Sequence, residues 1–321
     1  MAQNEKEQAL RIFVWIVPRV NSTAFLKCMS CVDDTAVWME PYMTTHLNKT
    51  LFNPEYKKDD QNAQRYRASM EKTMQRPETL AMMKESLAMA DEFSNITDQA
   101  TFTDSWVKKQ LETEDPGKKF IFIKDQSFAI FDQLDSLPEG VPTRHVFLIR
   151  HPKEVYTSWK NVATTLADPS NPIPWDECHA ANDAFLIPVS EFYQTHHNLW
   201  KHVKEHLDPD AVIIDGHDLT SNPDVVLRKL FENLGIPYKP SYLEWSGDPQ
   251  SVYSSWRGSN FVVFVCSNTV NISRAVNCSK FDPPKHPRGV ANPKWKVTDE
   301  LKEYIESAMP LYEEMFANRL M

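Results

Sequence analysis

The sequence predicts an α/β protein in which a central parallel sheet is flanked by helices. The run at 12–17, IFVWIV, is uninterrupted, apolar and rich in β-branched and aromatic residues, which is typical of a strand buried on both faces. A polar turn and a helix that starts near Ala24 follow it directly. Later apolar runs that predict further strands lie at 118–123, 145–149 and 211–215. Because no linker or repeat interrupts the chain, we expect one domain over residues 1–321.

The composition is ordinary for a soluble globular protein, with 321 residues of which 41% are hydrophobic and 25% are charged. The formal net charge of -9 argues against nucleic acid or an acidic membrane as a partner, because both demand a basic surface. The five cysteines are an odd number, which fits a reducing compartment better than a disulfide framework. The first apolar run is too short for a signal peptide or a membrane span. We therefore expect a cytoplasmic protein without a membrane segment.

The turn at 18–24, PRVNSTA, has the features of an anion site. Unpaired backbone N–H groups and the positive end of the helix macrodipole converge at such a turn, and Arg19 adds a full positive charge. Asn21, Ser22 and Thr23 can cap the helix, and Asn is one of the few residue types that adopt left-handed backbone angles. The turn contains no glycine and is therefore not a Walker A loop. A simple strand-to-helix connection with a good cap is the alternative interpretation.

A second strand is predicted at 35–39, and Glu40 follows it directly before Pro41. The proline is expected to hold Glu40 in extended geometry and to end the strand. In doubly wound sheets the carboxyl ends of the strands border the ligand crevice. Glu40 is therefore either a solvated strand end or a carboxylate that faces the crevice.

Residues from about 45 to 115 are polar, glycine-free and helix-biased, and we interpret them as a helical insertion. An apolar stripe at helical spacing within this segment either belongs to the core or covers a binding site. Its members are Leu80, Met83, Leu87 and Ala90.

Two further groups of candidate site residues follow predicted strands. Lys124 follows the strand at 118–123, where a cation can meet an anionic group of a substrate in the crevice. Arg150 follows the strand at 145–149, and Ser158 lies eight residues later in a helix. A guanidinium fork and a hydroxyl together suit a phosphate group.

Two patterns that could indicate metal or redox chemistry have simpler interpretations. Cys28 and Cys31 form a C-x-x-C inside the first helix, and no second cysteine pair follows at zinc spacing. Five histidines lie without a carboxylate at ligand spacing, so we interpret them as solvated helix faces and expect no metal site. They are His179, His196, His197, His202 and His206.

The motifs together resemble the sulfotransferases that use 3′-phosphoadenosine 5′-phosphosulfate (PAPS). The turn at 18–24 resembles their 5′-phosphosulfate loop, Pro-Lys/Arg-Ser-Gly-Thr/Ser-Thr/Ser, with Asn21 in place of the glycine. Arg150 and Ser158 resemble their 3′-phosphate motif, and the family's elements occur in order from Arg11 to about Met315. The resemblance implies a P-loop NTPase-like three-layer fold, PAPS as donor, 3′-phosphoadenosine 5′-phosphate (PAP) as product, and no metal.

The resemblance also implies roles for individual residues. Lys124 matches the lysine of the Lys-x-His that follows the corresponding strand in cytosolic sulfotransferases. Position 126 is Gln, which cannot act as a base, so the general base is assigned to Glu40, as in bacterial and carbohydrate-type members. The catalytic residues implied are Glu40, Lys124 and Arg19. The donor-binding residues implied are Arg19, Val20, Asn21, Ser22, Thr23, Ala24, Arg150, Ser158, Tyr193, Trp256, Arg288 and Gly289.

The expected reaction is in-line transfer of a sulfonate group to a hydroxyl of a small acceptor, with the helical insertion covering the acceptor. One alternative is another P-loop enzyme, such as a kinase, against which the absence of Gly-Lys-Ser/Thr argues. The other is a non-catalytic nucleotide-binding relative, which Gln126 favours. The identity of the acceptor, a homodimeric state, and a base other than Glu40 are left open by the sequence.

Overall fold

The structure, a computed structural model, describes residues 8–81, 84, 88, 95–166, 168–183, 187–248, 250–268 and 274–321. Its strands are β1 (Leu10–Ile16), β2 (Thr35–Met39), β3 (Ile96–Thr97), β4 (Phe120–Gln126), β5 (Thr143–Ile149), β6 (Val212–Asp215) and β7 (Trp256–Ser259). They form one parallel sheet in the order β3-β7-β2-β4-β1-β5-β6.

Helices connect the strands and flank the sheet. Those described are α1 (Ser22–Met29), α2 (Pro41–Lys49), α3 (Gln61–Met74), α4 (Asp104–Glu112), α5 (Ser127–Ile130), α6 (Pro152–Leu166), α7 (Phe192–His206), α8 (Gly216–Ser221), α9 (Pro223–Leu234), α10 (Gln250–Ser255), α11 (Asn260–Asn268) and α12 (Asp299–Ala317). Short 3₁₀ helices lie at Gln99–Thr101, Phe131–Ser136, Val189–Glu191 and Pro240–Leu243.

Strand β1 lies inside the sheet, between β4 and β5, and six of its seven residues are buried. This is why its sequence is apolar without alternation. Helix α12 packs against α6 and α7, whereas α1 and α9 pack against the 3₁₀ helix Pro240–Leu243. The predicted fold class, a central parallel sheet flanked by helices, is confirmed. Within the described residues, no helix is both long and apolar enough to cross a membrane.

The predicted extended geometry of Glu40 is wrong. Its backbone is left-handed, with φ 51° and ψ 53°. The chain turns here from β2 into α2 within a single residue, because Pro41 already occupies the first turn of the helix. The Glu40 N–H donates to the Lys124 carbonyl oxygen at 2.8 Å, and the Glu40 carbonyl oxygen accepts from the Thr44 N–H at 3.0 Å. A strained residue of this kind persists only where its surroundings fix it, and such residues are common at functional sites.

The turn before α1 agrees with the sequence in one respect and differs in another. Asn21 is left-handed, with φ 64°, as its residue type predicts. Its side chain does not cap the helix, however, and its Nδ2 donates instead to the Gly216 carbonyl oxygen at 3.4 Å. Ser22 and Thr23 lie inside the helix rather than at its cap. The predicted side-chain cap is therefore wrong.

The helical bias of residues 45–115 is found in α3 and α4. Leu80 of the predicted stripe is exposed, so it does not belong to the core. The other members, Met83, Leu87 and Ala90, lie outside the described residues.

Two of the histidines interpreted as solvated are buried. His196 and His197 lie on the inner side of α7, which packs against α5 and α12. His197 Nε2 lies 2.8 Å from Glu314 Oε2. Glu314 belongs to α12, 117 residues later in the sequence, so the spacing of residues around His197 could not predict this contact. His206, on the same helix, is exposed as predicted.

The buried histidines make stability depend on pH. Burial lowers the pKa of His145 to about 4 and that of His196 to about 3. An unfolded histidine titrates near pH 6.5. As the pH falls, the unfolded chain therefore binds protons at His145 and His196 before the folded protein does. We expect Tm to fall as the pH drops from about 6.5 towards 4. His196→Gln should weaken this dependence of Tm on pH. His206→Gln, the control at an exposed histidine, should leave it unchanged. Equal profiles of Tm against pH for His196→Gln and wild type would contradict the role of the buried His196.

Candidate active site

A cavity of about 690 Å³ lies at the carboxyl edge of the sheet. Because β2, β4, β1 and β5 are parallel neighbours, the residues that end these strands meet there. Sequence-predicted residues that line it are Arg19, Val20, Asn21, Ser22, Thr23, Ala24, Glu40, Lys124, Arg150 and Ser158.

The loop between β1 and α1 forms one wall of this cavity. Arg19 and Asn21 both have positive φ, 72° and 64°, so the loop turns sharply before the N-terminus of α1. Gly216 allows the loop to pack closely, since a Cβ atom at this position would lie 2.9 Å from the Val20 carbonyl oxygen. A compact turn at a helix N-terminus is an anion-binding concavity.

The loop is in direct contact with the residues that follow β5. Arg19 Nε donates to Ser158 Oγ at 3.0 Å, and Arg150 Nη1 donates to the Arg19 carbonyl oxygen at 2.9 Å. These contacts follow from the pairing of β1 with β5. The two predicted phosphate-binding groups therefore lie side by side in one cavity.

Glu154 is a residue of this region that the sequence interpretation missed. Its Oε2 accepts from Arg150 Nε at 2.9 Å and lies 2.8 Å from Arg150 Nη2. Its Oε1 accepts from the Gly289 N–H at 2.9 Å. Glu154 thus fixes the Arg150 guanidinium and ties the segment around Gly289 to it. Arg150 lies directly after β5, four residues before Glu154 on α6, and this spacing could have indicated the pair.

Glu40, Lys124 and Gln126 form a second cluster of polar side chains in the cavity. Lys124 Nζ lies 2.5 Å from Glu40 Oε1, and Gln126 Nε2 donates to the same oxygen at 3.0 Å. The side chains of Lys124 and Glu40 are only 3% and 11% exposed. Two donors from β4 therefore hold one carboxylate oxygen from the end of β2.

Asp125, between the two donors, faces the other way. Its carboxylate accepts from the N–H groups of Tyr42 and Met43 at the start of α2 and from the Gln126 N–H. Burial, together with the nearby Glu40 carboxylate, raises the pKa of Asp125, and the three N–H donors oppose this rise. Asp125 thus anchors α2 to β4 and holds the Glu40 turn in place.

Tyr193 and Trp256 do not reach the cavity, so the adenine contacts predicted for them do not fit the structure. Tyr193 is 1% exposed and its hydroxyl donates to the Arg150 carbonyl oxygen. Trp256 is fully buried on β7 and its Nε1 donates to Ser30 Oγ at 2.8 Å. Both rings occupy the core because the sheet and its helices close over them.

Arg288 and Gly289 also lie outside the cavity lining. The Arg288 guanidinium binds Asp215 at 3.1 Å and Asp218, and it stacks on Phe316. The predicted contact of Arg288 with a phosphate does not fit this arrangement, because two carboxylates already neutralise its charge. Lys285 and His286, a few residues earlier, line the cavity instead.

One group of side chains within the described residues has the spacing of metal ligands. The ligand atoms of Asp215, His217 and Asp218 lie within 4.8 Å of one another. Arg288 and Arg319 pair with these carboxylates, and Arg319 Nε lies 2.8 Å from Asp218 Oδ2. The two guanidinium groups neutralise the negative charge that would attract a cation.

Much of the remaining cavity wall is apolar. Met43 and Leu47 come from α2, which starts directly after Glu40, and Phe128 follows β4. Helix α3 contributes Tyr66, Met70 and Met74. A small apolar molecule that carries one polar group would fit such a wall.

A family model described as a sulfotransferase domain matches residues 38–310. The chain belongs to the sulfotransferase family. The family membership predicted from the sequence motifs is therefore confirmed. No curated protein matches it significantly.

Solved structures similar to this sulfotransferase are distant in sequence. The sulfotransferase domain of the Synechococcus PCC 7002 olefin synthase is 15% identical, with a TM-score of 0.47, and 100% of this chain and 99% of that one are covered. The sulfotransferase domain of the curacin biosynthetic pathway is 14% identical (TM-score 0.43; 95% and 99% covered). A retinol dehydratase in complex with androsterone and the inactive cofactor PAP is 13% identical (TM-score 0.45; 97% and 82% covered).

Proposed function

We propose that this sulfotransferase transfers the sulfonate group of PAPS to a hydroxyl of a small, largely apolar acceptor. The observation that carries the proposal is the convergence of the anion loop, the Arg150–Ser158 pair and the Glu40–Lys124 pair on one cavity. The first two groups suit the phosphates of a nucleotide, and the third suits proton transfer from a hydroxyl.

The donor set of the cavity fits PAPS. The loop backbone from Arg19 to Ala24 and the Arg19 side chain would hold the 5′-phosphosulfate, and Arg150 with Ser158 would hold the 3′-phosphate. All of these are hydrogen-bond donors, and two are permanent cations, as a polyanionic ligand requires. When bound, PAPS would supply the sulfonate group and leave as PAP.

The acidic and basic groups divide the chemistry between them. Glu40 accepts the proton of the acceptor hydroxyl, whose oxygen bonds to sulfur while the bond from sulfur to the phosphate oxygen breaks. Lys124 and Arg19 stabilise the negative charge that develops on the bridging and sulfonate oxygens. Fixed charges at positions where charge develops are worth several kcal/mol of transition-state stabilisation, roughly 3 for one group.

The acceptor class follows from the wall around Glu40. We propose that α2, together with α3 from the insertion at about 45–115, covers the acceptor with apolar side chains such as Met43 and Met70. A sulfated glycan would need many polar partners that these side chains do not offer. A phenol or an alcohol with an apolar body matches them.

The direct test incubates the purified protein with PAPS and a panel of apolar alcohols and phenols in the presence of EDTA. We expect PAP to form and one acceptor to gain the mass of a sulfonate group. A requirement for magnesium and ATP would favour a kinase. Tight binding of PAP without turnover on any acceptor would favour a non-catalytic relative.

We also propose that the protein works in a reducing compartment, the cytoplasm. The thiols of Cys28, Cys31, Cys178 and Cys278 are all free, which supports this location. Cell fractionation with an antibody to the protein would test it, and recovery in a secreted fraction would contradict it.

Arg288→Ala should lower stability and leave donor affinity unchanged. The substitution leaves the buried Asp215 carboxylate without its cation, although Arg288 is 28% exposed and water partly compensates. We expect a loss of about 1–3 kcal/mol in the free energy of unfolding, while the Kd for PAP measured by calorimetry stays within about twofold of wild type.

The matched control is Arg228→Ala, which removes an exposed Arg–Asp pair with Asp224. It should change stability much less than Arg288→Ala does, because water screens an exposed ion pair. A large loss of PAP affinity in Arg288→Ala would restore the predicted role of Arg288 in donor binding.

A further inference from the structure

The Gln126 side chain is held in an arrangement that is costly for the fold. Its Nε2 donates to Glu40 Oε1 at 3.0 Å, whereas its own Oε1 is buried without a hydrogen-bond partner. Turning the amide round would place Oε1 against the Glu40 carboxylate, so the orientation is fixed by charge. A buried carbonyl oxygen without a partner destabilises a protein.

The Glu40 carboxylate is correspondingly asymmetric. Its Oε1 receives both Lys124 Nζ and Gln126 Nε2. In the part of the chain that the structure describes, no residue hydrogen-bonds to Glu40 Oε2, and this atom is not among the buried unpaired atoms. Since Glu40 lines the cavity, Oε2 is the oxygen that remains open to a bound molecule.

We propose that Gln126 is a positioning residue that, together with Lys124, holds Glu40 Oε1 and so turns Oε2 towards the acceptor hydroxyl. The inference rests on the proposed function, in which Glu40 is the base. A single donor leaves the terminal torsion of a glutamate free, because this torsion has a broad energy profile. A second donor on the same oxygen, from two residues further along β4, fixes the plane of the carboxylate.

The proposal accounts for a glutamine at position 126 although its buried oxygen has no hydrogen-bond partner. A residue selected for stability alone at this buried position would be apolar, because it would leave no acceptor without a partner. Gln126 instead retains an N–H donor that points at Glu40. It cannot take a proton itself, so its effect on the reaction passes through Glu40.

The test is Gln126→Met, which is close in shape to glutamine but has neither the donor nor the orphan acceptor. We expect kcat to fall by about tenfold or more, with KM and the Kd for PAP within about twofold of wild type. Tm should be unchanged or higher, because the unpaired oxygen is removed. The acid limb of the kcat profile should move to higher pH, because a donor to the charged carboxylate is lost.

Two further variants make the test independent of folding. Gln64→Met removes an exposed amide on α3 and should leave kcat, Tm and the pH profile unchanged. Gln126→His keeps an N–H donor for Glu40 and should restore most of the activity lost in Gln126→Met. The double variant Gln126→His with Glu40→Gln should lose the activity that Gln126→His restores. This result would exclude the histidine as a replacement base.

Wild-type kcat and an unshifted pH profile in Gln126→Met would overturn the proposal. So would a fall in Tm that accompanies the loss of kcat without a shift of the acid limb, because this would indicate a structural role. If Gln126→Met does not fold, a Gln126→His variant that folds but is inactive would also overturn the proposal. Failure of the proposed function is distinct, since Glu40→Gln would then retain activity.

Discussion

Glu40→Gln is expected to lower kcat by about 10²- to 10⁴-fold, the range for loss of a general base. The substitution keeps the size of the side chain but removes its charge and its ability to accept a proton. Glu40 Oε1 is fixed by Lys124 and Gln126 in the wild type, and a neutral amide at position 40 removes the negative charge that pairs with Lys124. Turnover measured as PAP formation at saturating PAPS gives the effect on kcat directly.

Donor binding separates this effect from misfolding. The groups that would hold the donor lie on the β1–α1 loop and the start of α1, at Arg150 directly after β5, and at Ser158 on α6. The Kd for PAP should therefore change little in Glu40→Gln. Glu78→Gln is the matched control, because Glu78 is another carboxylate on the cavity wall and is exposed. It should retain wild-type kcat. Unchanged turnover in Glu40→Gln would reject Glu40 as the base.

The sheet could be predicted from the sequence because its central strands have a strong local signal. Residues 12–17 lack polar positions since β1 is covered on both faces and has neighbours on both edges. The two short strands β3 and β7 have no such signal. Strand β3 has two residues, and β7, WRGS, reads as a turn, so both depend on tertiary pairing for their existence.

The polar residues at strand ends could be predicted for a related reason. In a parallel sheet, the residue that follows a buried strand lies at the crevice, so Arg19, Glu40, Lys124 and Arg150 meet without any knowledge of the register. The contact of Gln126 with Glu40 could not be predicted, because it depends on the pairing of β2 with β4 across 86 positions of sequence. Local spacing carries no information about such a contact.

Unlike the residues at strand ends, those whose roles were assigned by resemblance alone do not line the cavity. The resemblance predicts a contact with adenine for Tyr193 and Trp256, yet packing around both rings buries them in the core. Arg288 is similar, since its partners Asp215 and Asp218 come from β6 and α8, 73 and 70 residues away in the sequence. Burial and pairing of these side chains are tertiary properties that a motif does not encode.

Arg150→Lys is expected to weaken PAP binding by about ten- to a hundredfold. Lysine keeps the positive charge but loses the planar fork that grips a phosphate through two N–H groups. One charge-assisted hydrogen bond contributes about 1.5–3 kcal/mol, and 1.4 kcal/mol corresponds to a factor of ten in Kd. Calorimetric titration with PAP measures the change, and kcat at saturating PAPS should fall much less than affinity.

The substitution is chosen because Glu154 needs a cation. Glu154 is buried and contacts two nitrogens of Arg150, so an alanine would leave an uncompensated charge and unfold part of the site. Arg144→Lys is the matched control, because Arg144 lies near the start of β5, whereas Arg150 follows its end, and Arg144 binds Asp208 there at 3.1 Å. It should leave the Kd for PAP unchanged. Equal affinities for Arg150→Lys, Arg144→Lys and wild type would place the 3′-phosphate away from the guanidinium, and the pairing of Arg19 with Ser158 would then have only a structural role.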